Sequence, residues 1–334
     1  MKNKEFDFLV FIGNCAPWTV DHNRLLTNAL ELSEHVIILV NGSNRPSSIT
    51  NPWSFYNRLQ MITLSHVVSS NPDRVLISPL FDYKYDKTSW CTNICKIVNE
   101  FVDDHEKRKT GLIYEYTDKE LVRLFPQWTP VDREFIPNED GSNDLSWLFT
   151  QEKIPNVSDN TAQYIEQFKT RYTYECLLQE YNAIQQYKKS WEVAPFPPIF
   201  VTTDIVLVQS NHILMITRRN QPGKDLVALP GGYVNSDETV QQAAFRELKE
   251  ETNIQLDYDN ILNYIKGYKM FDSPDRDTRG RTITHAFFIE LPPSKSFPKI
   301  LAGDDAKSAT WMPIWLLDSE VMFADHYDII THFI

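Results

Sequence analysis

Basic residues are in short supply: 33 Lys and Arg against 45 Asp and Glu leave a formal net charge of −12. Such a chain has no basic excess with which to neutralise a phosphate backbone, which argues against non-specific nucleic-acid binding. The balance suits an enzyme whose positive charge arrives as bound cations. No apolar run approaches the roughly 18 residues of a membrane span, and the opening segment MKNKEFDF lacks the apolar h-region of a secretory signal. Cysteine is sparse as well. Of Cys15, Cys91, Cys95 and Cys176 only Cys91 and Cys95 are close, at i and i+4. No second pair and no neighbouring His completes a zinc site. Free thiols in a reducing cytoplasm are the expectation. Internal repeats and low-complexity tracts are also absent.

What remains is ordinary globular composition, 42% hydrophobic and 23% charged over 334 residues, enough for two domains with full cores. The first body alternates strands (7–12, 35–40, 74–80, 111–116) with helical patterns (21–32, 53–66, 89–105), the order of a parallel α/β sheet. Residues 160–191 contain neither Gly nor Pro, and carry Phe168, Tyr172, Leu178, Tyr181, Ile184 and Tyr187 at helical spacing. They predict a connecting helical segment whose aromatic face packs into a core. The cluster Ala194-Pro195-Phe196-Pro197-Pro198 ends it. Beyond lie strands at 199–208, 213–217, 262–271 and 282–291, a helix over 238–252 and a last helix from about Asp325, an α+β order. The expected organisation is therefore a domain over 1–158, a helical connector over 159–194 and a domain over 195–334.

The most informative stretch is residues 232–254, GYVNSDETVQQAAFRELKEETNI, preceded by the turn cluster Leu229-Pro230-Gly231-Gly232. On a helix Glu247, Glu250 and Glu251 fall at i, i+3 and i+4, sharing one face. Three such carboxylates repel one another unless cations sit between them, and hard oxygen donors suit Mg²⁺ or Mn²⁺. Arg246, four residues before Glu250, is placed to pair with and orient them. Gly232, Glu238, Arg246, Glu247, Leu248, Glu250 and Glu251 stand at the positions of the Nudix signature, which this stretch resembles. One position departs: the late glycine is Asn253, the usual second choice for a left-handed C-cap. The resemblance implies a mixed sheet between helices and a hydrolase that cleaves a nucleoside diphosphate linked to another group. It implies metals held by Glu247, Glu250 and Glu251 with help from the Gly231 carbonyl. Asp304 and Asp305 are candidates for the general base, or else form an ordinary turn before a strand. Arg276, Arg279 and Arg281 lie in a loop that resembles one in ADP-ribose-cleaving relatives. With Arg218 and Arg219 they are candidates for holding a diphosphate or a terminal ribose phosphate.

The first body carries a second resemblance. Residues 12–22, IGNCAPWTVDH, look like the phosphate-binding turn of nucleotidyltransferases of the nicotinamide mononucleotide (NMN) adenylyltransferase type. So do Gly42-Ser43, the segment from Asn51 through Arg58 to Ile62, and Phe125-Pro126-Gln127-Trp128. This implies a Rossmann-like nucleotidyltransferase domain, with Gly13, Thr19, His22, Arg58 and Trp128 as its nucleotide-binding candidates. The motif is degenerate. Asn14 replaces an Arg, Asp21 replaces a Gly where phosphate approaches, and Ser146 stands for an Arg in the acidic segment 139–147. Each lost group is worth roughly 2–4 kcal/mol of transition-state stabilisation. The order and length of the chain match the bifunctional NMN adenylyltransferase/ADP-ribose pyrophosphatase family. The expected function is Mg²⁺-dependent cleavage of ADP-ribose to AMP and ribose 5-phosphate, with the first domain inactive. Two alternatives stand: an intact bifunctional enzyme that also makes NAD from NMN and ATP, and a non-catalytic sensor of ADP-ribose or NAD. A small nucleotide is the expected partner, with no nucleic acid or membrane; a homo-oligomer is left open.

Overall fold

The computed structural model describes residues 4–102, 107–114, 119–132, 145–150, 156–256, 258–303 and 305–334. It divides into two compact units, Met1–Leu177 and Leu178–Ile334.

The first unit contains β1 (Phe6–Gly13), α1 (Val20–Leu32), β2 (Ser33–Val40), α2 (Phe55–Thr63), α3 (His66–Ser69), β3 (Val75–Pro79), α4 (Lys87–Phe101), β4 (Thr110–Tyr114), α5 (Lys119–Leu124), β5 (Thr129–Asp132) and α6 (Asp159–Phe168). Its five strands run parallel in the order β3-β2-β1-β4-β5. Alternate residues of β1 and β2 face opposite sides. Leu9, Phe11, Val36, Ile38 and Val40 pack with Leu26 and Ile62. Phe8, Val10, Ile37 and Leu39 pack with Ile94 and Val98. Both faces are covered, which is why these strands are apolar almost throughout. This is the expected Rossmann-like layer order.

The connecting helical segment comprises two helices, α6 and α7 (Tyr172–Ser190). The Thr170 hydroxyl donates to the Gln167 carbonyl, and the Arg171 N–H donates to Phe168 O. These local bonds compete with helical ones and end α6 without Gly or Pro.

The second unit holds β6 (Ile199–Gln209), β7 (His212–Arg218), β8 (Val227–Ala228), β9 (Gly231–Tyr233), α8 (Val240–Thr252), α9 (Tyr258–Ile261), β10 (Ile265–Phe271), β11 (Arg281–Glu290), β12 (Ala306–Pro313) and α10 (His326–Phe333). The seven-stranded sheet has the path β10-β11-β6-β7-β12, with β8 on β7 and β9 on β6. Its strand pairs are antiparallel except β6 with β11, parallel over ten residue pairs. Ala244 and Leu248 of α8 pack on Ile205, Leu207, Leu214 and Phe287. A Thr239–Gln242 capping box starts α8, and Asn253 ends it at φ 44° and ψ 31°, the left-handed cap expected of that position. Among the described residues no helix is long and apolar enough to cross a membrane.

Candidate active site

Burying the apolar side of α8 turns its acidic side toward a cleft of about 300 Å³ in the second unit. Glu247, Glu250, Glu251 and Arg246 line it together with Asp204, Arg218, Arg219, Gly231, Arg279, Asp305 and His326. Arg246 is the hub of the acidic wall. Its Nη1 donates to Glu247 Oε1 and to Glu250 Oε2, 2.8 Å each. Its Nε and Nη2 clasp Glu238, and Nη2 also reaches the Tyr233 carbonyl at 3.0 Å. Hydrogen bonding to Arg246 holds Glu238 down at about 2, and the same bonds raise Arg246 above the usual guanidinium range.

The glycine turn has no room for side chains. A Cβ on Gly231 would lie 2.1 Å from Thr203 O, and one on Gly232 would lie 2.5 Å from the Glu247 carboxyl carbon. The Gly231 N–H donates to Glu251 Oε2 at 2.9 Å. Glu251 is buried, and burial first, then Glu247 and Asp204, lifts its carboxyl to about 8 against the pull of Gly231 and Arg218.

These residues fit a divalent cation by donor chemistry: all are hard oxygens. Glu251, crowded by Glu247 and Asp204, is a carboxyl that a cation would return to its ionised form. In the present rotamers Glu247 and Glu250 turn to Arg246, and among the described residues no three His, Cys, Asp or Glu groups converge on one point.

The opposite wall is basic. Arg218 stacks on Phe323, 4.0 Å from the ring centre, and donates from Nε to Pro222 O at 2.9 Å. Burial and then Arg279 depress it below the usual guanidinium range. Glu180, on α7, faces Arg218 and the Gly223 N–H, and burial lifts it to about 7. Arg219 binds Ala306 O at 2.8 Å. Arg279 grips Asp277, with Nη2 to Oδ2 at 2.7 Å, and stands over Tyr233 at 5.3 Å. Burial opposes ionisation of both Arg279 and Asp277, but their contact outweighs it and keeps both charged.

Of the other arginines anticipated as ligand-binding, Arg276 lines the cleft and Arg281 does not. Arg276 is buried at the cleft floor and forks onto Asp325 at 3.0 and 2.9 Å. Arg281 is not among the cleft residues; its Nη1 holds the Asp272 and Ser273 carbonyls. Asp305 lines the cleft and accepts from Asn220 at 2.8 Å, whereas Asp304 lies outside the described residues. Asp204 and His326 went unforeseen. Each is apart from the signature in sequence, and neither sits in a motif that would have flagged it.

In the first unit, Gly13 ends β1 and Thr19 caps α1. The Thr19 N–H donates to His22 Nδ1 at 3.0 Å, and His22 stacks on Trp18. Asp21 contacts Arg24 at 3.4 Å. Arg58 is 1% exposed and donates to Asn14 O, Asn41 O and Gly42 O, tying together the loops around the turn. Trp128 is buried, stacked on Phe125. Ser146 opens a short 3₁₀ turn, and residues 139–144 lie outside the described residues.

The NUDIX domain family matches residues 198–333. Crystal structures described as a bifunctional NMN adenylyltransferase/ADP-ribose pyrophosphatase from Francisella tularensis are 34% identical to this chain and cover 98% of both chains. Their TM-scores are 0.92 and, for the complex with AMP and a Mn ion, 0.91. This chain belongs to that bifunctional family. An ADP-ribose pyrophosphatase of Methanocaldococcus jannaschii is 36% identical over 131 residues, 38% of this chain and 72% of that protein. A nicotinamide/nicotinic acid mononucleotide adenylyltransferase of Acinetobacter baylyi is 27% identical over 183 residues, 54% of this chain and 95% of its own. Within the bifunctional family this chain keeps a Nudix hydrolase domain with its helix, cap and glycine turn in register. Its first unit has the five-stranded parallel sheet of a Rossmann-like domain.

Proposed function

We propose that this chain hydrolyses ADP-ribose to AMP and ribose 5-phosphate with Mg²⁺, or Mn²⁺ in its place, and that its first unit no longer transfers adenylyl groups. The observation that carries the reading is one cleft lined both by carboxylates braced by Arg246 and by Arg218, Arg219 and Arg279. The arginines hold the diphosphate by charge-assisted hydrogen bonds. Arg246 braces Glu247 and Glu250 along the cleft, from where their carboxylates would turn to a cation. Glu247, Glu250 and Glu251 would hold a divalent cation, which when bound would polarise the diphosphate and lower the pKa of water. Asp305, which lines the cleft, or Asp304 beside it in sequence, is the candidate to accept the proton of the attacking water. That water forms a bond to one phosphorus, the bridging P–O bond breaks, and the other phosphate leaves with the electron pair. The named activities of the relatives, and the AMP and Mn ion of the Francisella complex, support this choice of substrate and metal. The four free cysteines fit a reducing, cytoplasmic setting.

A second reading keeps adenylyl transfer, and the full-length match to the Francisella protein favours it. One assay separates the two. Purified protein with Mg²⁺ receives ADP-ribose in one tube and NMN plus ATP in another, with Glu250→Gln as control. AMP formed from ADP-ribose only when Glu250 is intact, without NAD in the second tube, supports the proposal. NAD in the second tube rejects the retired first unit. No AMP in the first tube rejects the pyrophosphatase.

A further inference from the structure

Arg276, anticipated at the ligand, lines the cleft and is buried. It forks onto Asp325, the N-cap residue of α10, and lies 3.9 Å from Asp204 Oδ2. Asp325 is 1% exposed. The next residue, His326, accepts the Leu229 backbone N–H on Nδ1 at 2.9 Å. A donor at Nδ1 places the ring proton on Nε2, which stands 3.8 Å from Asp204 Oδ1. Asp204 Oδ2 in turn accepts from Thr284 Oγ1 at 2.5 Å. Leu229 begins the turn whose Pro230 carbonyl accepts from Ile205 N–H and whose Gly231 N–H binds Glu251. A chain of contacts thus runs Arg276, Asp325, His326, Leu229, Gly231, Glu251. Burying an Arg and two Asp is unfavourable unless each charge is paired and hydrogen-bonded. A wholly apolar floor would fill the same space without that penalty.

We infer that Arg276, Asp325 and His326 act as positioning residues, a strut that sets the Leu229–Gly232 turn and through it the Glu251 carboxylate at the cation site. Arg276 and His326 line the cleft, but the role assigned to them is exerted through the turn. The decisive link is the acceptor at His326 Nδ1. It occupies the Leu229 N–H, which otherwise stays buried without a partner or rotates and carries Gly231 with it. The inference rests on reading Glu251 and the glycine turn as part of a cation site.

The test compares His326→Asn, whose side-chain oxygen replaces Nδ1, with His326→Gln, whose polar end replaces Nε2, and with His326→Leu. Full-length proteins are titrated with Mn²⁺ by electron paramagnetic resonance without substrate, then assayed with ADP-ribose. Outer contacts of this kind typically alter metal affinity or turnover by about 10–100-fold. The expectation is a loss of that order in Mn²⁺ affinity and kcat for His326→Leu and His326→Gln, with KM for ADP-ribose little changed, and near wild-type behaviour for His326→Asn. A folded His326→Leu protein with wild-type Mn²⁺ affinity and kcat overturns the strut. So does a His326→Asn variant as impaired as His326→Gln, a comparison that stands even where His326→Leu fails to fold. Wild-type protein that neither binds Mn²⁺ nor cleaves ADP-ribose instead refutes the cation-site reading beneath it.

Discussion

Arg246 Nη1 is shared by Glu247 and Glu250, 2.8 Å from a carboxylate oxygen of each. One planar group therefore sets the direction of two acids and, through Nη2, the Tyr233 carbonyl. Lysine keeps the charge but cannot fork. Arg246→Lys is expected to lower kcat by about 10–100-fold, the range for residues that orient metal ligands. Steady-state kinetics across a Mg²⁺ titration would check it; the loss should persist at saturating Mg²⁺.

With Glu251 at the proposed cation site, stability should depend on both pH and metal. Its folded value, about 8, lies above its ordinary 4.5. Between these values the folded protein binds more protons than the unfolded chain, so metal-free stability falls as pH rises through that window. A cation needs the ionised carboxylate, so it binds more tightly as pH approaches 8. Thermal melts with EDTA or MnCl₂ at pH 6 and pH 8 should show the larger metal-induced rise in Tm at pH 8. Glu251→Gln should remove most of the difference.

Glu180 gives a similar slope without direct metal linkage. Burial raises it from 4.5 to about 7, so its contribution is present at low pH and lost as pH rises through 7. Glu180→Gln should flatten the pH dependence of Tm between about 4.5 and 7 in EDTA. An unchanged slope would show that Glu180 does not titrate there.

Asn253 serves the backbone and a loop at once. Its left-handed φ suits Asn or Gly, and its Nδ2 donates to Leu301 O at 3.0 Å. Asn253→Ala should cost about 1–2 kcal/mol from the strained φ, measured by urea unfolding. Asn253→Gly should cost less, because only the side-chain bond is lost.

Arg58→Met would leave the carbonyls of Asn14, Asn41 and Gly42 without their donor. Each buried polar group left unpaired costs about 1–3 kcal/mol. Unfolding of the first unit should therefore move to lower urea, while ADP-ribose turnover below that transition stays at the wild-type rate.

The parts of the site readable in sequence are those written in local spacing. The carboxylates of α8 at i, i+3 and i+4, the Arg four residues ahead, the glycine turn and the Asn cap depend on neighbours within one helical turn or one tight turn. Asp204, Arg276 and His326 meet only when β6, the β10–β11 loop and the start of α10 converge, and no periodicity in any one segment reports that. Arg58 illustrates the same limit. Its place in a phosphate-binding pattern is legible in sequence, whereas its three carbonyl partners appear only once the loops pack. The break after α6 was hidden because Thr170, rather than Gly or Pro, ends the helix.

The parallel ladder of β6 with β11 joins Ile199–Val208 to Arg281–Glu290, and the whole glycine turn and α8 lie in the chain between them. Loops of that length must close before their contacts yield any stability. The cleft therefore belongs to the slow part of folding: a chain that has collapsed but not zipped this ladder has a formed acidic helix and no floor beneath it. Turnover should accordingly return later in refolding than helical circular dichroism.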